Sequence, residues 1–284
     1  MTAQPKFFAD ERRKKMYQRG ATTVFASKAD ARFPYCMYVP QNFDDDPEGH
    51  TLIVTVHGTG RTMTAYRDAF AQFCRFNKCL VLSPLFPVGV LGDGNPEGFK
   101  YMREGDIRYD RVLLAMVDEI SESLGVRFDR FMMFGFSGGG HFVHRFLYLH
   151  PMRLLAASIG SPGAVTLIDP TRDYWVGTRN LEELFGIALD IPAIREVAVQ
   201  MVVGGADIET WEIDYKPGSV NYMEGINDTG RTRIERNTAL KKNFEANGIA
   251  VRQDIVPNVP HDGVKVVPVV QDFFLDVLAR LRNR

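Results

Sequence analysis

One stretch, Arg130–His150, restricts this chain more than any other. RFMMFG is a short apolar run of strand character, and the residues after it keep apolar side chains at helical spacing. Between the two stands G-x-S-x-G, as Gly135-Phe136-Ser137-Gly138-Gly139, directly at a strand-to-helix turn. A turn this sharp puts its middle residue under strain, and only small neighbours leave room for it. Gly135 and Gly139 meet that demand, and Gly138 and Gly140 loosen it further. Such a nucleophile elbow exposes the Ser137 hydroxyl at the C-terminal edge of a sheet. The N–H groups and partial positive charge of a helix N-terminus lie beside it. The bland alternative is a glycine-rich turn with a capping serine.

Strands and helices alternate around this turn from about residue 50, the pattern of an α/β layer architecture. Thr51–His57, Leu80–Pro84, Arg130–Gly135, Leu154–Gly160, Val197–Gly204 and Val251–Val256 are predicted strands of a mostly parallel sheet. Phe33–Val39 adds an antiparallel edge strand. Helices are predicted over Thr62–Asn77, with Tyr66, Phe70, Phe73 and Phe76 on one face, and over Asp106–Leu124, with Ile107, Val112, Leu113, Met116, Val117 and Ile120. Further helices are expected at Gly138–His150, Arg231–Asn247 and Val266–Arg280. The division is an N-terminal extension, residues 1–32, and a single domain, residues 33–284, without repeats.

Two segments interrupt the alternation. Gly163–Ile194 carries Tyr174 and Trp175, and Ile208–Gly230 carries Trp211, Tyr215 and Tyr222. Insertions of this length inside a domain are functional or disordered, and their aromatic content disfavours disorder. They read as lid or pocket-wall material. Those five aromatics, with Phe136, are the candidate pocket residues.

A serine hydroxyl is a poor nucleophile until a base removes its proton. In chains built on this elbow the acid and then the base follow the serine. His141, His144 and His150 lie on or at the end of the helix leaving Ser137 and read as core or surface histidines. His261, in the V-P-H-D-G loop beyond the last strand, is the candidate base. Asp207, just past Val202-Val203-Gly204-Gly205-Ala206, is the candidate acid, ahead of Glu209, Asp214 and Asp190. It would hold the imidazole in one tautomer and stabilise its protonated form. An oxyanion hole needs backbone N–H donors, each worth about 3–4 kcal/mol. Gly138 is one; Thr59 of His57-Gly58-Thr59-Gly60 is the second, with Gly60 as the fallback. His57 is read as positioning that loop by hydrogen bonding.

Composition narrows the partners. Lys plus Arg number 34 and Asp plus Glu 35, a net charge of -1, which gives no electrostatic reason to expect nucleic acid or an anionic membrane. Cys36, Cys74 and Cys79 show neither C-x-x-C spacing nor an even count, so free buried thiols are expected. His141 and His144 stand three apart without an H-E-x-x-H motif, so neither a metal nor a cofactor is expected. Met1–Gly20 has no apolar h-region and no stretch spans a bilayer, so a cytoplasmic location is the expectation. Oligomeric state is not legible.

The H-G-x-G loop at His57–Gly60, the elbow at Gly135–Gly139, Asp207 and His261, in that order, resemble the α/β-hydrolase superfamily over about residues 33–282. Pro34-Tyr35-Cys36-Met37-Tyr38-Val39-Pro40 is similar to the P-Y-x-x-Y-x-P strand that often opens esterases related to polyhydroxybutyrate depolymerases and feruloyl esterases. Those relatives are frequently secreted and disulfide-bonded, whereas this sequence shows neither a signal-peptide pattern nor a plausible cysteine framework, so a polymeric extracellular substrate is not expected. The resemblance implies an α/β-hydrolase fold and a cofactor-free serine hydrolase. Its Ser137-His261-Asp207 triad would act on an ester, and the aromatic insertions point to a small, partly apolar one. An amidase, lactonase, thioesterase or acyltransferase would use the same triad. A non-catalytic ligand-binding protein on this fold is the reading from another class.

Overall fold

The computed structural model describes residues 10–283; the first nine residues of the expected extension lie outside the described residues. The rest of that extension forms helix α1 (Glu11–Tyr17) and two short strands, β1 (Gly20–Ala21) and β2 (Phe25–Ala26). Both strands pair antiparallel with β3 (Pro34–Val39), so this segment is built into the sheet. The chain continues through β4 (Thr51–Val56), α2 (Met63–Asn77), β5 (Cys79–Pro84), a small hairpin of β6 (Arg103–Glu104) and β7 (Ile107–Arg108), and α3 (Tyr109–Leu124). Then come β8 (Phe131–Phe136), α4 (Gly138–Leu149), β9 (Leu154–Gly160), and the short helices α5 (Leu181–Phe185) and α6 (Ile191–Arg195). Strand β10 (Ala198–Gly204), α7 (Arg233–Ala246), β11 (Val251–Val256) and α8 (Val267–Arg282) complete it.

The strands lie in the order β1-β3-β5-β4-β8-β9-β10-β11. Strand β3 runs antiparallel to β5, and β5 through β11 are mutually parallel. The mostly parallel architecture expected from the alternation is therefore present. Helices cover both faces. In β8, Phe131 and Met133 enter a core shared with α3, α4 and α7, while Met132, Phe134 and Phe136 enter one shared with α2 and α8. This period-two division explains why the strand is apolar throughout: no face meets water.

Two helical expectations need correction. Phe76 is 70% exposed, because the buried stripe of α2 runs Met63, Tyr66, Phe70, Cys74 and has rotated off it by the last turn. Ile107 is buried in β7 and not in α3, since the chain reverses at Gly105 before the helix starts. Cys36, Cys74 and Cys79 stand as free buried thiols. Among the described residues no helix is long and apolar enough to cross a membrane.

Candidate active site

Ser137 sits between β8 and α4 with φ 57° and ψ -115°, a strained conformation for a residue with a side chain. The turn is held by the Ser137 N–H donating to Gly160 O (2.9 Å) and by the His141 N–H donating to Ser137 O (3.1 Å). A Cβ on Gly139 would stand 2.1 Å from Val56 O, so glycine there lets the first turn of α4 rest on the end of β4. The serine therefore lies at the C-terminal edge of the two central strands.

Asp207 follows β10 by three residues. The Gly205 N–H donates to Val256 O (2.8 Å) and the Ala206 N–H to Val259 O (2.9 Å), clasping this turn to the loop after β11. A Cβ on Gly204 would stand 2.2 Å from Val259 O, so only glycine permits the approach. The clasp places the His261 Nδ1 2.7 Å from Oδ2 of the buried Asp207. A carboxylate there only accepts, so the imidazole meets it with a proton on Nδ1, and in the neutral ring of that tautomer Nε2 is the acceptor nitrogen. The His261 ring packs on Phe136, the neighbour of Ser137, with centroids 4.8 Å apart. Ser137 Oγ makes no hydrogen bond to another described residue, a looseness common before substrate tightens such contacts.

On the other side of Ser137, the Thr59 nitrogen lies 3.4 Å from where a Cβ on Gly138 would stand, so these two amides are brought together. As the first residue of α4, Gly138 has no intrahelical acceptor for its N–H. Gly60 is exposed and lies one residue further along the loop. His57 accepts from the Phe86 N–H at Nε2 (2.9 Å) and donates from Nδ1 to Gly58 O (2.8 Å). Burial pushes its pKa down to about 4, so it is a neutral loop brace with both nitrogens engaged.

A cavity of about 620 Å³ opens beside Ser137 and Thr59. Glu97, Lys100, His141, Gly163 and Arg233 line it, together with the segments 211–216 and 219–221. Trp211 and Tyr215 are thus in its wall, Trp211 with 75% of its surface exposed. The other aromatic candidates do not line it. Phe136 is buried beneath His261. Tyr174 is buried and donates its hydroxyl to Tyr101 O (2.9 Å), and Trp175 packs on the Tyr101 ring at 4.8 Å. Tyr222 packs on a satellite cluster with Val176 and Ile226. The aromatics of Gly163–Ile194 face the main core, with Leu181 and Phe185 beside Tyr174. Aromatic content therefore fixes neither the depth nor the direction in which such a segment packs.

Glu97, Lys100 and Arg233 of the cavity were missed from the sequence, and His141, read as a core or surface histidine, is buried at its wall. Lys100 is buried and bonds both Glu97 carboxylate oxygens (2.7 and 2.8 Å); burial pushes its ammonium down while Glu97 opposes the shift. The His141 Nε2 accepts from the Gly163 and Ala164 N–H groups at 2.8 and 3.1 Å. Burial, then the nearby Arg145 and Lys100 charges, hold that imidazole well below its ordinary range. Arg233 is buried and donates to Asp207 Oδ1 (3.3 Å), Glu209 O (3.3 Å) and Glu212. Only its place beside the candidate acid reveals it, since an arginine opening a helix reads as solvated. Among the described residues no group of three His, Cys, Asp or Glu side chains could hold a metal ion.

No family model matches the sequence, and no curated protein matches it. Solved structures do. Poly(aspartic acid) hydrolase-1 from Sphingomonas sp. KT-1 is 20% identical with a TM-score of 0.71, over 89% of this chain and 98% of that one. A poly(3-hydroxybutyrate) depolymerase from Bordetella parapertussis is 21% identical with a TM-score of 0.70, over 92% and 94%. An S-formylglutathione hydrolase from Agrobacterium tumefaciens is 16% identical with a TM-score of 0.55, over 92% and 96%. These likenesses, taken with the strand order and the elbow, give the chain the α/β-hydrolase fold.

Proposed function

We propose that the protein is a serine hydrolase of carboxylic esters, working through an acyl-enzyme on Ser137, His261 and Asp207. The observation that carries this reading is the serine at φ 57° on a strand-to-helix turn, with the His261–Asp207 pair on one side and the Thr59 nitrogen close to Gly138 on the other. His261 Nε2 takes the Ser137 proton as Oγ attacks the carbonyl carbon. The Gly138 and Thr59 N–H groups receive the oxyanion, and Asp207 stabilises the imidazolium. The imidazolium then protonates the leaving alcohol, and a water deprotonated by the same nitrogen releases the acid. Trp211, Ile213, Tyr215 and Val220 supply apolar wall for a small, partly apolar ester. Amide and thioester substrates meet the same groups, and two of the structural neighbours carry the names poly(aspartic acid) hydrolase and S-formylglutathione hydrolase.

The test is hydrolysis of p-nitrophenyl acetate, butyrate and octanoate by wild type and Ser137→Ala, with a fluorophosphonate label located by mass spectrometry. Turnover lost in the variant, with the label on Ser137, is the expected result. A folded protein with neither turnover nor label refutes it and brings the ligand-binding reading forward.

A further inference from the structure

The triad acid has a second partner. Oδ2 of Asp207 faces His261, and Oδ1 accepts from Nη1 of Arg233 at 3.3 Å. A carboxylate's last torsion is broad and two-fold, so one hydrogen bond alone does not fix which oxygen faces the imidazole. Arg233 can hold the other oxygen because it is itself held. It is the first residue of α7, whose start is fixed by a capping box between Thr232 and Glu235. Its Nη1 also donates to Glu209 O, and its Nη2 to the Glu212 carboxylate. The side chain is 2% exposed and borders the cavity.

A buried guanidinium is costly unless carboxylates meet it. This one has two carboxylate partners in different places: the triad acid, and Glu212 on the cavity wall between Trp211 and Ile213. We propose that Arg233 is a positioning residue that locks Asp207 for His261 and couples that carboxylate to the cavity wall through Glu212. The proposal rests on the serine-hydrolase reading. It implies that a substrate seated against Trp211 and Tyr215 steadies the same guanidinium that steadies the acid. Among the described residues the titratable and charged groups bonded to Asp207 are His261 from the loop after β11 and Arg233 from α7, with Glu212 beyond the guanidinium.

Arg233→Met and Arg233→Lys test it, with kcat and KM on p-nitrophenyl acetate and octanoate from pH 5 to 9 and a thermal midpoint for each. Methionine fills the buried volume without a charge. It is expected to lower kcat at least tenfold with KM for acetate changed less than threefold. Removing a cation from beside Asp207 favours the protonated imidazole, so the acid limb of kcat/KM moves up by about half a pH unit. Lysine recovers the limb and most of kcat. An unchanged kcat and limb in the methionine variant overturns the proposal. So does an equal loss in both variants that tracks a lowered midpoint with the limb unmoved, since that is a structural role. Should the methionine variant fail to fold, Glu212→Gln carries the test at a half-exposed carboxylate. Octanoate should then lose at least threefold more kcat/KM than acetate, and equal effects overturn the coupling. Wild type without Ser137-dependent turnover removes the serine-hydrolase reading and the proposal together. An active wild type with an unaffected methionine variant removes the proposal alone.

Discussion

Gly204→Ala is a one-methyl test of the clasp that pairs Asp207 with His261. The added Cβ would stand 2.2 Å from Val259 O, 2.7 Å from Pro260 O and 2.9 Å from Val259 C. Ordinary contact begins at 3.4 Å, and all three atoms are backbone, so no flexible side chain can give way. The loop after β11 must retreat from the end of β10 by about 1 Å, carrying His261 with it. Overpacking of this kind costs about 1–3 kcal/mol, or roughly 2–12 °C in thermal midpoint for a chain of this size. A 1 Å misplacement of a catalytic group costs about a hundredfold in rate. The expectation is a folded, moderately destabilised protein with kcat on p-nitrophenyl acetate down by about two orders of magnitude. Gly205→Ala is the internal control. Its Cβ meets Val256 O at 3.2 Å and nothing else under 3.6 Å, so activity should stay within threefold of wild type. If Gly204→Ala keeps wild-type kcat and midpoint, or if both variants lose activity equally, the steric reasoning is wrong.

Two further expectations concern buried groups. Burial depresses the pKa of His57 to about 4 and pushes His141 and His144 well below their usual range, so the unfolded chain binds more protons than the native one below pH 6.5. Stability is therefore full above pH 6.5 and falls as the pH drops toward 4, with His57 alone contributing on the order of 3 kcal/mol. Urea midpoints at pH 7.5, 6 and 5 should decline in that order; a flat series would mean these rings are protonated in the native state. The thiols of Cys36, Cys74 and Cys79 are buried, and burial raises Cys79 to about 12. A thiol-specific disulfide reagent at pH 8 should release no chromophore from the native protein and three equivalents after unfolding. Prompt native labelling would contradict their burial.

The elbow was legible because its demand is local: strand, small residues, serine and helix are contiguous, and steric exclusion acts within five residues. Asp207 and His261 were legible as loop residues just beyond strands, although 54 positions apart. Their pairing depends on Gly204, whose role appears only once Val259 is beside it. Arg233 and Lys100 were not legible. A charged side chain is assumed to face water; Arg233 is met by Asp207 and Glu212 from distant segments, while Lys100 pairs with Glu97 only three residues away inside a wall that other segments build. The direction in which an aromatic segment packs was equally hidden, as Tyr174 in the core and Trp211 at the cavity rim show. Phe76 failed for a simpler reason: four aromatics at mixed steps of three and four drift off the buried stripe by the last turn.

The two halves of the site rest on unequal foundations. Strand β8, which ends at the serine, is flanked by β4 and β9 and buried along its whole length. Strand β11, whose following loop carries His261, pairs among the described residues with β10 alone and is partly exposed along its length. Margins fray before centres, because fewer contacts hold them. A chain can therefore lose the order of its rim while its middle stays intact, keeping the serine cocked with nothing to take its proton. On the proposed reading, inactivation and denaturation are separable events in this protein, and the weaker fastening lies on the imidazole side.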